Sequence, residues 1–332
     1  MPLKPLPVWL TPKLTQLIGL HHENKLPHAL LVNGSAGVGK KQLAQRLGHL
    51  LMCHQPNGHE PCDACRGCEL VSAGSHPDIY LVEPDEQGKQ IKVDQIRALS
   101  DFVCSTAQQG GYRVVILTPA DAMNIAAANA LLKMLEEPGN DTLLMLLTDR
   151  LGEVMPTIKS RCQRIDCPTP ETELASQYLV NAISVTQDEA QRLLEINRGS
   201  PFLAETYFND QLDKKRETLI KGLADVLKGR SDALQLAQSW QKQELELLLS
   251  WFYGLVSEAI RAYSLGEESL AKSDAKNMLT AIVRKAPIEN VFTLHDTIQA
   301  CRLSLIQRQN VNKQMLLEQL LLKWAAILKK GV

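Results

Sequence analysis

The sequence has 332 residues, of which 45% are apolar and 22% charged, and its formal net charge is −1. That length predicts two or three domains, and the composition is typical of globular proteins. The near-zero charge excludes a strong overall field that attracts nucleic acid, so any DNA contact would need a local patch or a partner subunit.

The amino-terminal segment argues against secretion. It carries three prolines before residue 8 and lacks a long apolar core, so it does not resemble a signal peptide. No apolar run approaches the ~20 residues needed to cross a bilayer. We therefore expect a cytoplasmic protein without a membrane partner. In that compartment its eight cysteines would be metal ligands or buried thiols rather than disulfides.

Short apolar runs alternate with helical stretches through about residue 165. The runs predict strands buried on both faces, at His28–Asn33, Ile79–Val82, Val114–Thr118 and Leu143–Leu147. The intervening stretches predict helices at Lys40–Met52, Val93–Ser105 and Asn124–Glu136. Strands separated by helices imply a parallel sheet covered on both sides, so this part is predicted to be α/β.

A domain boundary is predicted at Cys167-Pro168-Thr169-Pro170, which cannot continue a helix or a central strand. Two short helices follow, Glu171–Asn181 and Gln187–Asn197. Thr186 and Glu189 have the spacing of a capping box at the start of the second helix. Gly199-Ser200-Pro201 is interpreted as closing this small helical unit.

The chain is predicted to be helical from about Asp210 to its end. The last helix, Asn312–Lys330, presents a broad apolar face. Such a face must pack against other helices of the same domain or of a neighbouring subunit.

A glycine-rich segment, G-S-A-G-V-G-K-K at residues 34–41, directly follows the first predicted strand. It matches the phosphate-loop pattern G-x-x-x-x-G-K in the required position between a strand and a helix. Gly34, Gly37 and Gly39 would let backbone N–H groups curl around phosphate oxygens, and Lys40 would reach the terminal phosphates. The alternative, an ordinary glycine-rich turn, is disfavoured by this position.

Two parts of the hydrolytic machinery are missing from this loop and from the third predicted strand. The residue after Lys40 should be Ser or Thr, whose hydroxyl binds Mg²⁺, but it is Lys41. An active enzyme ends the strand with an acidic pair, whereas this strand ends in Thr118-Pro119, and the nearest acid, Asp121, lies beyond the proline. We therefore expect at most weak binding of ATP or ADP, without Mg²⁺-dependent hydrolysis.

A cluster of cysteines with the spacing C-x8-C-x2-C-x2-C predicts a structural Zn²⁺ site with the ligands Cys53, Cys62, Cys65 and Cys68. An iron–sulfur cluster is the main alternative and a redox dithiol a weaker one. His54 and His59 are interpreted as bystanders, and the remaining cysteines, Cys104, Cys162, Cys167 and Cys301, as unliganded. A DNA-reading finger is disfavoured because Arg66 is the only Lys or Arg within the module.

Together these segments resemble the clamp-loader branch of the AAA+ ATPases. The resemblance is carried by H-A-L-L-V-N-G-S-A-G-V-G-K, the four-cysteine insertion, His76-Pro77-Asp78, A-A-A-N-A-L-L-K-M-L-E-E-P and Ser160-Arg161-Cys162. It covers the whole chain, and it is strongest in residues 28–168 and weaker beyond about residue 205. The defects in the phosphate loop resemble the stator-type subunit of such a complex rather than its motor.

The resemblance implies a domain order. Residues 1–167 would form a P-loop (AAA+) α/β domain with the zinc module at residues 53–68. Residues 168–205 would form a small helical lid domain, and residues 206–332 an all-α collar domain.

The resemblance also implies partners. Through the collar the chain would join a hetero-pentamer with the delta and tau/gamma subunits. That complex would act on the sliding clamp and primer–template DNA for DNA polymerase III.

The resemblance assigns roles to three further positions. Arg161 would reach the ATP site of the adjacent motor subunit as an arginine finger. Thr148 would stand at a polar sensor position, with a simple strand-end threonine as the equal alternative. Motor lids carry Gly-Ser-x-Arg where this chain has Gly199-Ser200-Pro201-Phe202. The lid arginine is therefore missing, in addition to the Mg²⁺-binding hydroxyl and the acidic pair. The competing functions are a self-sufficient ATPase and, with less support, a zinc-dependent DNA-binding protein.

Overall fold

The computed structural model describes residues 5–86, 88–109, 111–271, 273–306 and 312–329. The chain divides into two compact units, Met1–Tyr207 and Phe208–Val332. The predicted lid belongs to the first unit, and its separation from the α/β part stays a prediction. Among the described residues, no helix is both long and apolar enough to span a bilayer.

The first unit is built on a parallel five-stranded sheet with the order β2-β3-β4-β1-β5. The strands are β1 Ala29–Asn33, β2 Ile79–Val82, β3 Arg113–Leu117, β4 Thr142–Thr148 and β5 Gln163–Asp166. Strands β3 and β4 are buried at every position, which explains the apolar runs 114–117 and 143–147 within them. The α/β prediction is confirmed, and β5 is an additional strand that the sequence did not predict.

Nine α-helices of the described residues begin in the first unit, and the last of them ends at Asn209, two residues beyond its boundary. They are α1 Thr11–His22, α2 Lys40–Met52, α3 Arg66–Ser72, α4 Val93–Cys104, α5 Ile125–Glu136, α6 Pro156–Lys159, α7 Thr172–Ile183, α8 Gln187–Ile196 and α9 Pro201–Asn209. Alternate strand residues face opposite sides of the sheet. Leu31 therefore packs in one core with α4 and α5, while Leu30 and Val32 pack in the other with α1 and α2.

The segment Gly199-Ser200-Pro201 does not close the helical unit as interpreted from the sequence. Gly199 has φ +76° and ends α8, with its N–H donating to the Leu194 carbonyl at 2.8 Å. Pro201 then begins α9, because proline is tolerated at the first helical position, where no intrahelical partner is needed for N–H. The predicted cap at Thr186 is present, since its hydroxyl accepts from the Glu189 N–H.

The described regular elements of the second unit are all helices. Its helices are α10 Leu212–Leu227, α11 Ala233–Trp240, α12 Leu245–Leu265, α13 Lys276–Lys285, α14 Ile288–Ile306 and α15 Lys313–Ala326. The predicted last helix is thus confirmed as α15, with Asn312 as its cap, and Lys330 lies outside the described residues. Trp324 of its apolar face is buried and donates from Nε1 to the Leu223 carbonyl at 2.9 Å, so this face packs within its own unit.

Candidate functional site

The phosphate loop joins β1 to α2 at the carboxyl edge of the sheet, and its glycines are required by close contacts. A Cβ added at Gly34 would lie 2.3 Å from the carbonyl oxygen of Cys167. Gly37 and Gly39 have φ of +73° and +102°, in the left-handed region that favours glycine. These contacts and backbone angles explain the three glycines, and phosphate binding by the loop stays a prediction.

Lys40 folds back into the loop. Its side chain is 6% exposed, and Nζ forms an ion pair with Asp149 Oδ1 at 2.6 Å. Nζ also donates to the carbonyl oxygens of Gly34 and Ser35, each at 2.7 Å. An ammonium group has three protons, so the loop and Asp149 together satisfy it without a phosphate.

Lys41 occupies the position where a P-loop ATPase carries its Mg²⁺-binding hydroxyl. Its Nζ lies 2.6 Å from Glu83 Oε1, just beyond β2, and both side chains are half-exposed. An ammonium cannot ligate a cation, and Glu83 is neutralised by the contact. The position thus holds an ion pair of the protein itself.

Asp121 and Thr148 are engaged with each other. The Thr148 hydroxyl donates to Asp121 Oδ1 at 2.7 Å, and the Asp149 N–H reaches the same oxygen at 3.3 Å. Thr148 is fully buried. This pair joins the end of β4 to the turn after β3, and the nucleotide-contact role predicted for Thr148 stays a prediction.

The start of α9 packs against the phosphate loop within the first unit. The Phe202 N–H donates to the Gly37 carbonyl at 3.1 Å, and the Ser200 hydroxyl donates to the Ala36 carbonyl. From the amino-terminal segment, Trp9 Nε1 donates to the Val38 carbonyl at 2.9 Å. Three consecutive loop carbonyls are thus held by the unit's own donors.

An aromatic row accompanies these bonds. The ring of Trp9 meets that of Tyr178 at 5.5 Å, and Tyr178 meets Phe202 at 5.2 Å. Such pairs add packing energy of about 0.5–1.5 kcal/mol each. No local sequence motif marks Trp9 as part of this site.

Arg161 lies on the surface after α6, with 36% of its side chain exposed. Its Nε and Nη2 donate to Glu136 Oε1 at 3.0 and 2.6 Å, and its Nη1 donates to the Thr157 carbonyl at 3.0 Å. The guanidinium is therefore held side-on at the end of α5. It is an accessible cation with donors in a rigid fork, the geometry that suits phosphate.

The four predicted zinc ligands lie together. The sulfur atoms of Cys53, Cys62, Cys65 and Cys68 are all within 4.8 Å of one another, and Cys62 Sγ lies 3.8 Å from Cys68 Sγ. Four sulfurs placed tetrahedrally at ~2.3 Å from one zinc ion are about 3.8 Å apart. This spacing fits a single ion, whereas an iron–sulfur cluster would hold the sulfurs further apart.

Backbone N–H groups point at these sulfurs. Cys53 accepts from the Cys62 N–H at 3.2 Å, Cys62 from the Cys65 N–H at 3.3 Å, and Cys65 from the His54 N–H at 3.4 Å. Burial raises the pKa of the Cys65 thiol, but the N–H groups of Cys68 and His54 and the neighbouring thiols outweigh it and lower the pKa to about 6. Burial raises the pKa of Cys68, and the Asp63 N–H only partly offsets that effect.

The other cysteines and the nearby histidines lie outside the four-sulfur group of the described residues, and their unliganded state stays a prediction. Among the described residues, the four-sulfur group includes none of Cys104, Cys162, Cys167 and Cys301. His54 contributes its backbone N–H rather than its ring, and His59 is exposed.

Gly67, between two ligands, is required by a contact that the sequence analysis missed. A Cβ there would lie 2.0 Å from the Met52 carbonyl oxygen. We expect Gly67→Ala to displace α3 from the end of α2 and to destabilise the module by about 3 kcal/mol. Bound zinc and thermal unfolding of the full chain measure this. Gly19→Ala is the matched control, because that helical glycine has open space around its Cβ position. Equal stability of the two variants would contradict the predicted clash at Gly67.

Comparisons with known families agree with this architecture. Residues 10–171 match the family described as DNA polymerase III, delta subunit, and residues 210–326 match its C-terminal family. The chain is 38% identical over 303 residues to the DNA polymerase III subunit delta' of Pseudomonas aeruginosa, covering 90% of this chain and 92% of that protein. It is 29% identical to the subunit delta' of Escherichia coli K12, covering 98% of this chain and 96% of that protein.

A solved structure is similar in fold. A DNA polymerase III gamma subunit-related protein from Thermotoga maritima aligns with a TM-score of 0.50 and 20% identity. The alignment covers 95% of this chain and all of that one. At this identity the likeness concerns the fold alone.

Proposed function

The chain belongs to the family of DNA polymerase III delta' subunits, and from that premise we propose that it is the non-hydrolysing stator of a clamp loader. The observation that carries the proposal is the Lys41–Glu83 ion pair at 2.6 Å. It occupies the place where a motor subunit would assemble its Mg²⁺ ligands, and β3 is followed by Thr118-Pro119 instead of an acidic pair.

The hydrogen bonds and the ion pair of Lys40 support weak nucleotide binding at most. A phosphate would have to replace two carbonyl contacts and the Asp149 carboxylate, and hydrogen bonds to charged groups are worth about 1.5–3 kcal/mol each. ATP or ADP could still meet the loop N–H groups of Gly37 and Gly39. Without a metal site, such binding leads to no Mg²⁺-dependent hydrolysis.

The catalytic contribution of the chain is proposed to come from Arg161. In the assembled complex its guanidinium would approach the γ-phosphate held by the adjacent subunit and stabilise charge in the transition state. Arg161 would have to exchange Glu136 for the phosphate. Exposed ion pairs contribute only about 0.2–1 kcal/mol, whereas a finger worth ~10³-fold in rate contributes about 4 kcal/mol. The loss of the ion pair with Glu136 is therefore smaller than the gain in transition-state stabilisation at the neighbouring site.

The proposed partners are the clamp-loader delta and tau/gamma subunits, joined as a hetero-pentamer through the helices of residues 206–332. The sliding clamp and primer–template DNA would be met through that complex in the cytoplasm. The zinc module is proposed to be structural, since its four thiolates leave no open coordination position. Co-assembly of the purified chain with delta and tau/gamma subunits tests the proposed role in a clamp loader. Failure of the chain to join these subunits would contradict it.

A second test concerns the isolated chain. We expect no Mg²⁺-dependent ATP turnover above background, and none after Lys41→Thr, because Thr118-Pro119 still lacks the acidic pair. Phosphate release by the purified chain measures both. The control is Lys40→Ala in the same background, since true turnover must disappear in it. Turnover that Lys40→Ala abolishes would defeat the stator proposal and favour a self-sufficient ATPase.

A further inference from the structure

A buried histidine next to the cysteine cluster has no partner in the architecture described above. His49 lies in α2 one helical turn before Cys53 and is only 2% exposed. Neither of its ring nitrogens has a hydrogen-bond partner among the described residues. Buried polar groups are nearly always paired, and an orphaned one calls for an explanation such as an ion.

Two further ligand atoms converge on this ring. His49 Nε2 lies 3.8 Å from Asp63 Oδ1. A ring nitrogen of His49, a carboxylate oxygen of Asp63 and the sulfur of Cys68 are all within 4.8 Å of one another. Nitrogen, oxygen and sulfur ligands around one tetrahedral zinc ion are about 3.3–3.6 Å apart. A small inward movement of the exposed Asp63 carboxylate would complete that spacing.

The charge of the cysteine site favours a second cation here. One Zn²⁺ with four thiolates carries a net charge of about −2, and Asp63 adds another negative charge. Arg46 lies close to His49 but is neutralised by Glu60, whose carboxylate it meets at 3.0 Å. A divalent ion between Cys68 and Asp63 would therefore offset a local excess of negative charge.

His76 is a neighbour of this group but not a ligand candidate. Its Nδ1 accepts the Asp78 N–H at 3.1 Å, which leaves the proton of the neutral ring on Nε2. A metal ligand needs a free lone pair on the coordinating nitrogen, so His76 Nε2 is unsuited to bind the ion.

We propose that His49, Asp63 and Cys68 form a second metal subsite beside the four-cysteine site. The Cys68 thiolate would bridge a zinc ion held by the four cysteines and a second divalent ion held by the His49 ring and the Asp63 carboxylate. Because Asp63 is exposed, a water molecule would complete the coordination of the second ion. The inference goes beyond the clamp-loader role, since it concerns the metal content of the module whatever the chain assembles with.

The test is the zinc stoichiometry of the full-length chain. The protein is stripped with a chelator, reloaded under reducing conditions and dialysed against buffered free zinc. Two zinc ions per chain are expected at saturation, and one after His49→Ala or Asp63→Asn. Asp63→Asn keeps the test decisive if the buried His49→Ala variant folds poorly. His59→Ala, at an exposed histidine of the same module, is the matched control and keeps two.

Cobalt substitution separates a shared thiolate from two unconnected ions. The first Co²⁺ gives thiolate-to-cobalt charge-transfer bands, and filling of the second site is expected to shift them and to couple the two ions magnetically. Uncoupled ions would overturn the bridging role of Cys68. A single zinc equivalent at saturation, or two equivalents that persist in both variants, would overturn the second site altogether.

Discussion

Replacing Arg161 by alanine is expected to slow ATP hydrolysis at the adjacent motor subunit by about 10³-fold or more. The reason is that the guanidinium would no longer meet the charge that develops on the transferred phosphate. Folding and assembly should be unaffected, because the side chain is exposed and its pair with Glu136 is worth less than about 1 kcal/mol.

The measurement is single-turnover hydrolysis in a reconstituted complex whose other motor sites are disabled at their own phosphate-loop lysines. Otherwise, turnover at those sites would hide the loss. Arg164→Ala is the matched control, since Arg164 is an exposed arginine of β5 that pairs with Asp166 at 2.7 Å. Unchanged hydrolysis in a fully assembled Arg161→Ala complex would remove this residue from catalysis.

Loss of one cysteine ligand is expected to have the largest effect on stability. Cys65→Ser removes a thiolate that accepts a backbone N–H and whose thiol pKa is already about 6. Structural zinc sites contribute folding free energy directly, and we expect a loss of about 4 kcal/mol or more. Residues 53–72 should become sensitive to protease, because their connections around the metal would be released.

Zinc content, melting temperature and protease cleavage of the full chain measure this effect. Cys104→Ser is the control, because Cys104 is an exposed cysteine at the end of α4, outside the cluster. A Cys65→Ser chain that loses its zinc but keeps its melting temperature would show that the metal is not structural.

Much of the fold could be predicted because the central strands are continuous apolar runs. Strand β4 is buried at all its positions. Its sequence is therefore a short apolar run, which predicts a buried strand. Strand β5 was missed because only Ile165 is buried among its residues, and an edge strand leaves little hydrophobic pattern. Helix α1 was missed because prolines dominate the start of the chain, yet Pro12 stands in its first turn, where proline is tolerated.

The candidate sites were predictable only where their residues are close in sequence. The phosphate loop and the four cysteines are local motifs, and the structure places each set together. The partners Glu83, Asp149 and Glu136 are brought to Lys41, Lys40 and Arg161 by the sheet and its helices. No spacing in the sequence encodes such pairs. His49 had a weak local signal, since it precedes Cys53 by one helical turn.

The acceptors that surround Lys40 have a consequence for how the subunit would respond to changes in nucleotide levels. Its ammonium group is satisfied by Gly34, Ser35 and Asp149, and the loop carbonyls are held by Trp9, Ser200 and Phe202. If the chain is the proposed stator, the loop would therefore keep its shape whatever the ratio of ATP to ADP. Starvation or growth would change the conformations of nucleotide-driven neighbours but not this one. The subunit would offer them a surface of constant geometry in every metabolic state.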